Sequence, residues 1–380
     1  MDHQPPRIDF ALIGHQDSWQ KTGALVNRMR LDEGMPRLSL SQVMEIYPYI
    51  PPRPLFELNV VSARGRTVKG VYIDTFIPPV SPDPSGQSKQ PGSSHVFSHL
   101  QKVKEACDSA ASLGAPIVAL GGLTSILLEA NAASFQQIGN STFTTGNTLT
   151  AAFIVRGVES ACRQLAQPLS KARLLIIGST GDIGSACVRY FSGKVSTILL
   201  HARQPGPLRT QALALLANGQ PAIYSTRLED LLPTADKVIS AASSSVRLPS
   251  FCLLPKHAIV CDAGYPKNLD RDFTGGAWLF SGGLGQVTHG FTTDPAYYKD
   301  LYDWHLPKLA HGCLLEAVVL AMEKQPVAFS SGRGNITVDA MENILQLADR
   351  HGIRPAPINT NYYEQQSERT GSIIQADLYP

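Results

Sequence analysis

Leu174-Leu-Ile-Ile-Gly178-Ser-Thr-Gly181-Asp-Ile-Gly184 is the stretch that decides the fold. Four consecutive apolar residues ending on a glycine read as a short buried strand. Three evenly spaced glycines follow, and Ser185-Ala-Cys187 carries the chain on into a helix. Each glycine has its own task in such a turn. Gly178 allows the tight reversal, Gly181 lets the backbone approach a pyrophosphate, and Gly184 lets the helix pack closely on the strand. The positive amino end of the helix then faces the phosphate. A glycine triplet alone is weak, but strand before and helix after supply the context a dinucleotide-binding turn requires. Gly178, Ser179, Thr180, Gly181, Asp182, Ile183 and Gly184 are therefore candidate cofactor contacts; the bland alternative is an ordinary glycine-rich turn.

Short apolar runs recur downstream at Ser196–Leu200, Ala222–Tyr224, Lys237–Ala241, Ala258–Cys261 and Trp278–Phe280, separated by helix-length segments. This alternation predicts an α/β fold with a Rossmann-type, doubly wound parallel sheet. The second strand runs into His201-Ala202-Arg203. NAD readers place an acid about 20 residues past the glycines to hold the ribose 2′-hydroxyl. Here Arg203 stands 19 residues beyond Gly184. A guanidinium there can fork onto a 2′-phosphate, so NADPH is expected over NADH.

Composition sets the outer limits. In 380 residues, 43% are apolar and 17% charged, enough for two cores and too much for wholesale disorder. The net charge is +2 with no long basic run, so no nucleic acid is expected as a partner. The six cysteines are scattered without a CxxC pair, which reads as reduced thiols and no metal site. Met1–Arg7 carries no signal pattern and no apolar stretch is long enough to span a bilayer. A cytoplasmic protein without stable membrane insertion is expected.

Upstream of the glycine turn, Ile8–Ile13 and Pro116–Leu120 read as buried strands. Between them, Leu100, Val103, Cys107 and Ala110 recur at helical spacing ahead of Gly114. Ala151, Ile154, Val158, Ala161 and Leu165 predict a further amphipathic helix, with Asn147 or Thr148 as its N-cap. The expected organisation is an N-terminal α/β substrate lobe over 1–150, with a flexible Pro/Ser/Gly-rich loop at 78–95. A nucleotide-binding domain over 151–295, a C-terminal helical segment over 296–352 that closes the cleft, and an extension over 353–380 complete it.

Cys313 lies in His311-Gly-Cys-Leu-Leu-Glu316, at the start of an apolar run. A cysteine on an apolar helix is most often a small core residue. Gly312 before it suggests a helix start, where the dipole gives a thiol thiolate character.

Several further motifs occur in a fixed order: Ala119-Leu-Gly-Gly122 with Ser125-Ile126, Phe143-Thr-Thr-Gly-Asn-Thr148, Val158-Glu-Ser160, Gly181-Asp-Ile-Gly-Ser185 and Asp262-Ala-Gly-Tyr-Pro-Lys-Asn-Leu269. Through them the chain resembles the long-chain acyl-(acyl-carrier-protein) reductases, from Leu12 to Gly352. The resemblance implies NADPH-dependent reduction of a fatty acyl thioester to a fatty aldehyde. It implies an acyl carrier protein as donor, with acyl-CoA as a further donor, and an aldehyde-consuming enzyme downstream. Cys313 matches the family's acylated cysteine. Ser331-Gly-Arg-Gly-Asn335 departs from the family's Trp-Gly-Arg-Asn segment, and the loop over 79–95 is longer.

A more distant similarity to shikimate dehydrogenases implies a cleft between lobes, lined by Thr144–Thr148, Tyr265, Lys267 and Gly282–Gly285. By that likeness Thr145, Gly146, Asn147 and Gly283 join the cofactor contacts and Lys267 joins Cys313 as a catalytic candidate. His15, His289 and His311 are the candidate proton donors. Two other readings stay open: a reductase of a small carbonyl or imine with Cys313 merely packed, and a non-catalytic NADPH-binding protein.

Overall fold

The computed structural model describes residues 8–16, 18–77, 93–130, 138–242, 253–265, 267, 269, 277–293 and 308–358. Its strands, in chain order, begin with β1 (Phe10–Gly14), β2 (Arg53–Val61), β3 (Thr67–Asp74), β4 (Ile117–Leu120) and β5 (Thr142–Thr144). Then come β6 (Arg173–Ile177), β7 (Thr197–His201), β8 (Ala222–Ser225), β9 (Lys237–Ser240), β10 (Ile259–Asp262) and β11 (Trp278–Ser281). The last four are β12 (Leu284–Val287), β13 (Phe291–Thr293), β14 (Leu309–His311) and β15 (Ile353–Pro355). Two compact units result: Met1–Thr150 with Ser243–Ser245 and Gly285–Arg354, and Ala151–Ala242 with Val246–Leu284 and Pro355–Pro380.

In the second unit the sheet runs β11-β10-β9-β6-β7-β8 with every neighbour parallel. That is the Rossmann order, and it reverses beside β6, the strand that leads into the glycine turn. Ligands of open α/β sheets bind at such a switch point, outside the carboxyl ends of the strands. Leu175, Ile177, Leu199, Val238 and Val260 fill one face of the sheet. The strand positions expected from the apolar runs agree to within a residue or so at each end.

The first unit's sheet runs β13-β2-β3-β1-β4-β5. β3, β1, β4 and β5 are parallel, while β2 and β13 add an antiparallel edge. The helix Ser93–Ser112 buries Val103, Ala106, Cys107 and Ala110 against this sheet, as the helical spacing requires. The helix Gly312–Glu323 packs on β4, β1 and β3. It is apolar on nearly every side, with Leu314–Met322 all buried, and so serves as a core element.

The division into units groups the C-terminal helices differently from the expected organisation. Gly285–Arg354 belongs to the first unit and does not stand apart as a segment over 296–352. The expected extension over 353–380 begins with a strand, β15, in a three-stranded sheet β14-β12-β15. The loop expected at 78–95 lies outside the described residues up to 92, and the helix Ser93–Ser112 starts within its last positions. Residues 359–380 also lie outside them.

Candidate active site

The glycine turn of the second unit is built as its residues require. Gly178 has φ +80°, a left-handed conformation open to glycine, and its N–H donates to the His201 carbonyl at 2.9 Å. A side chain on Gly184 would collide with the Gly178 carbonyl oxygen. The helix Asp182–Phe191 starts at Gly181, which has no side chain to cap the first N–H groups. The positive pole of the helix at this turn suits an anion.

Ser179 Oγ, His201 Nδ1 and Gln211 Oε1 are buried around this turn with no hydrogen-bond partner among the described residues. Gln211 Nε2 is anchored on the Ser179 carbonyl at 2.8 Å. Buried polar atoms are ordinarily paired, so three orphans beside one turn fit a bound dinucleotide. Burial also pushes the His201 pKa below its usual value. Arg203 lies exposed just past β7 and makes no ion pair among the described residues.

The first unit places Cys313 at the second position of the helix Gly312–Glu323, with His311 as N-cap. Backbone crowds it from two sides. A side chain on Gly121, just past β4, would stand 3.3 Å from Cys313 Sγ. One on Gly146, just past β5, would collide with Cys313 Cα, and Gly146 itself has φ +67°. Gly312 meets Thr150 just as closely, a Cβ there standing 2.6 Å from Thr150 Cα. The sulfur thus sits half-buried at the carboxyl edge of the sheet, beside the loops after β4 and β5.

The thiol is not the activated thiolate expected from its helix position. Burial pushes its pKa up to about 11, and the charge of Glu316 adds to the rise. The backbone N–H groups of Leu314 and Cys313 oppose this without reversing it. Desolvation of the charged form outweighs the dipole here.

Glu316 is fully buried in the same helix and engages the turn before the helix Asn147–Gln164. Its carboxylate accepts from Thr144 Oγ1 at 2.6 Å, from Leu149 N–H at 3.0 Å, and from Ser330 Oγ at 2.8 and 3.0 Å. Ser330 Oγ in turn accepts from Thr148 N–H at 3.0 Å. The expected N-cap is therefore corrected. Asn147 is already helical, the capping position belongs to Gly146, and Glu316 and Ser330 satisfy the exposed donors.

The remaining candidates divide between the units. Thr145, Gly146 and Asn147 lie in the first unit with Cys313. Lys267 and Gly283 lie in the second, and Lys267 Nζ donates to the Asp262 carbonyl at 2.9 Å. The Asp262 side chain, fully buried, accepts from Gly264 N–H and Leu269 N–H, each at 3.0 Å. In the motif Asp262–Leu269, positions 266 and 268 lie outside the described residues. His15 has both ring nitrogens engaged by backbone: Nδ1 with the Gln16 carbonyl at 2.9 Å, Nε2 with Leu123 N–H at 2.8 Å. Those backbone partners hold the ring in place on both sides. His289 is exposed in the turn before β13.

Sequence reasoning missed an apolar pocket in the first unit. Leu12, Phe56, Leu58, Tyr72, Phe291 and Leu314 line it, and Leu314 is the residue after Cys313. Phe56 and Tyr72 stack across β2 and β3 with ring centres 5.1 Å apart. The alternation of Phe56, Leu58 and Val60 with Glu57 and Asn59 is the signal that could have found this wall. Among the described residues no cluster of metal-ligating side chains occurs, and no helix is long and apolar enough to cross a membrane.

The Rossmann sheet with its glycine turn defines a dinucleotide-binding α/β protein. No protein-family model matches the chain. It is 33% identical, over 357 residues, to the long-chain acyl-[acyl-carrier-protein] reductase of Synechococcus elongatus, a match covering 91% of this chain and 98% of that one. The chain belongs to the long-chain acyl-[acyl-carrier-protein] reductase family and is an oxidoreductase. It is also 24% identical over 311 residues to the aminotransferase PigE of a Serratia species, spanning 79% of this chain and 34% of that protein. Among solved structures, L-tryptophan dehydrogenase from Nostoc punctiforme aligns at 11% identity and TM-score 0.40, covering 97% of this chain and 89% of that one. Quinate dehydrogenase from Corynebacterium glutamicum aligns at 13% identity and TM-score 0.31, covering 67% and 79%.

Proposed function

We propose that the protein reduces a fatty acyl thioester, carried by an acyl carrier protein, to a fatty aldehyde with NADPH, through an acyl group held on Cys313. The observation that carries this reading is a half-buried thiol at a helix amino end beside a pocket lined largely by apolar side chains. Apolar side chains beside the thiol favour an acyl chain over a polar substrate there, each CH₂ buried on binding contributing about 0.8 kcal/mol.

Cys313 Sγ attacks the thioester carbonyl, the carrier's C–S bond breaks, and the proton of Cys313 ends on the released carrier thiol. Exchange between two thioesters is nearly thermoneutral, so acyl transfer to Cys313 needs no external energy source, and the thiol, with its raised pKa, loses its proton as the carbonyl is attacked. The Leu314 and Cys313 N–H groups, already directed toward the sulfur, steady charge at the reacting centre. Burial by the Gly121 and Gly146 loops keeps water from the acyl group. A bound reduced nicotinamide supplies the hydride that takes the acyl carbon to the aldehyde level. The resulting hemithioacetal oxyanion at Cys313 collapses, its C–S bond breaks to release the aldehyde, and the Cys313 thiolate takes a proton from solvent to restore the thiol.

On the cofactor side, the Gly178–Gly184 turn holds the pyrophosphate and Arg203 reads the 2′-phosphate. Ser179, His201 and Gln211 supply polar atoms beside them. Lys267 is assigned with this group as a positive charge at the carboxyl end of β10.

The test is an aldehyde assay with an acyl-carrier thioester and NADPH. The wild-type protein is expected to release fatty aldehyde, and Cys313→Ala to release none while still binding NADPH. Near-full aldehyde formation by Cys313→Ala would overturn the acyl-enzyme step.

A further inference from the structure

Two helix amino ends converge on Cys313. One belongs to its own helix, Gly312–Glu323; the other belongs to Asn147–Gln164, whose Gly146 lies against Cys313 Cα. Each carries about half a positive charge, and a helix amino end is one of the features that lower a thiol's pKa toward a reactive thiolate. Here the second pole is cancelled. The Glu316 carboxylate sits on the Leu149 N–H, and Ser330 and Thr144 hold it there.

We propose that Glu316 is a positioning residue that clamps the Gly146 turn onto Cys313 and keeps the sulfur a protonated thiol until a thioester is bound. The proposal rests on the reading of Cys313 as the acyl site. The other titratable groups nearby are His15, whose ring nitrogens meet the Gln16 carbonyl and the Leu123 N–H, and His311 at the N-cap of the same helix. A full negative charge at the pole of the neighbouring helix disfavours a second one on sulfur, in the direction the thiol's raised pKa takes.

The consequence is a slow thiol toward oxidants and alkylating agents, whose proton travels to the leaving carrier thiol when acyl exchange occurs. A thiolate nucleophile would gain attack rate at rest and lose that protection, because oxidation follows thiolate content.

The experiment is iodoacetamide labelling of Cys313 as a function of pH, read by mass spectrometry of the Cys313 peptide so that the other cysteines do not contribute. In the wild type no inflection is expected below about pH 10. Glu316→Gln, isosteric and uncharged, is expected to move the inflection down by about one unit and to speed labelling about tenfold near neutrality. Glu316→Asp keeps the charge while loosening the clamp, and is expected to leave the inflection where it was. An unmoved inflection in Glu316→Gln overturns the proposal, as does an equal shift in Glu316→Asp. If Glu316→Gln does not fold, a wild-type inflection near pH 7 to 8 would overturn it unaided, since the sulfur would then be a thiolate despite Glu316. Failure to find an acyl group on Cys313 would remove the acyl-enzyme and leave these labelling results intact, so the two readings fail separately.

Discussion

Gly178 and Gly184 fold the cofactor turn tightly onto itself so that backbone at Gly181 is free to meet a ligand, whereas Gly121, Gly146 and Gly312 let the loops and helices around Cys313 close on one another. Around the first set, Ser179 Oγ, His201 Nδ1 and Gln211 Oε1 stand buried without partners among the described residues. Around the second, polar groups are paired to excess, with Glu316 accepting from three residues and Ser330 bonded to both Glu316 and Thr148. The difference separates a surface prepared for something that arrives from a site held ready by its own structure. In the proposed reaction the cofactor leaves after each turnover, while the thiol must meet each acyl group in the same place.

Two alanine substitutions break the comparison in opposite ways, and they carry the largest expected effects. Gly146→Ala sets a methyl on Cys313 Cα and is expected to lower aldehyde formation at least a hundredfold, with NADPH affinity retained. Gly184→Ala drives a methyl into the Gly178 carbonyl and is expected to abolish NADPH binding while iodoacetamide labelling of Cys313 continues at the wild-type rate. Cofactor titration by fluorescence and labelling by mass spectrometry check both. If either variant lost both properties, the two glycine clusters would not be separable parts of the machinery.

Arg203→Ala sharpens the cofactor half and is expected to act more mildly. Loss of a charge-assisted fork costs about 1.5–3 kcal/mol, or roughly ten- to a hundredfold in NADPH affinity, with NADH nearly unaffected. Titrating both cofactors decides it, and equal losses would take the 2′-phosphate away from Arg203.

What could be read beforehand follows the same division. The Rossmann sheet is legible because β6, its turn and its helix are contiguous, and each later strand is a local apolar run bounded by turn residues. The site around Cys313 is not local. Ser330 meets Thr144 across 186 residues of sequence, and no spacing rule links them. One local signal does exist: Glu316 interrupts an otherwise apolar helix, and a buried acid needs donors. The antiparallel edge β2–β13 escaped as well, because β13 is only three residues long and pairs with a strand far away in sequence. The raised thiol pKa was hidden for a different reason. A helix start is visible in sequence, but the depth at which tertiary packing buries it is not, and here depth outweighs the dipole.

The most direct test of the covalent step omits the reductant. Purified protein is mixed with a fatty acyl-carrier thioester without NADPH, and intact mass and peptide maps are recorded. The expected result is a gain of one acyl group on Cys313, absent from Cys313→Ala, that disappears with release of aldehyde when NADPH is added. Aldehyde formation with no adduct, or an adduct that maps to another residue, would contradict it.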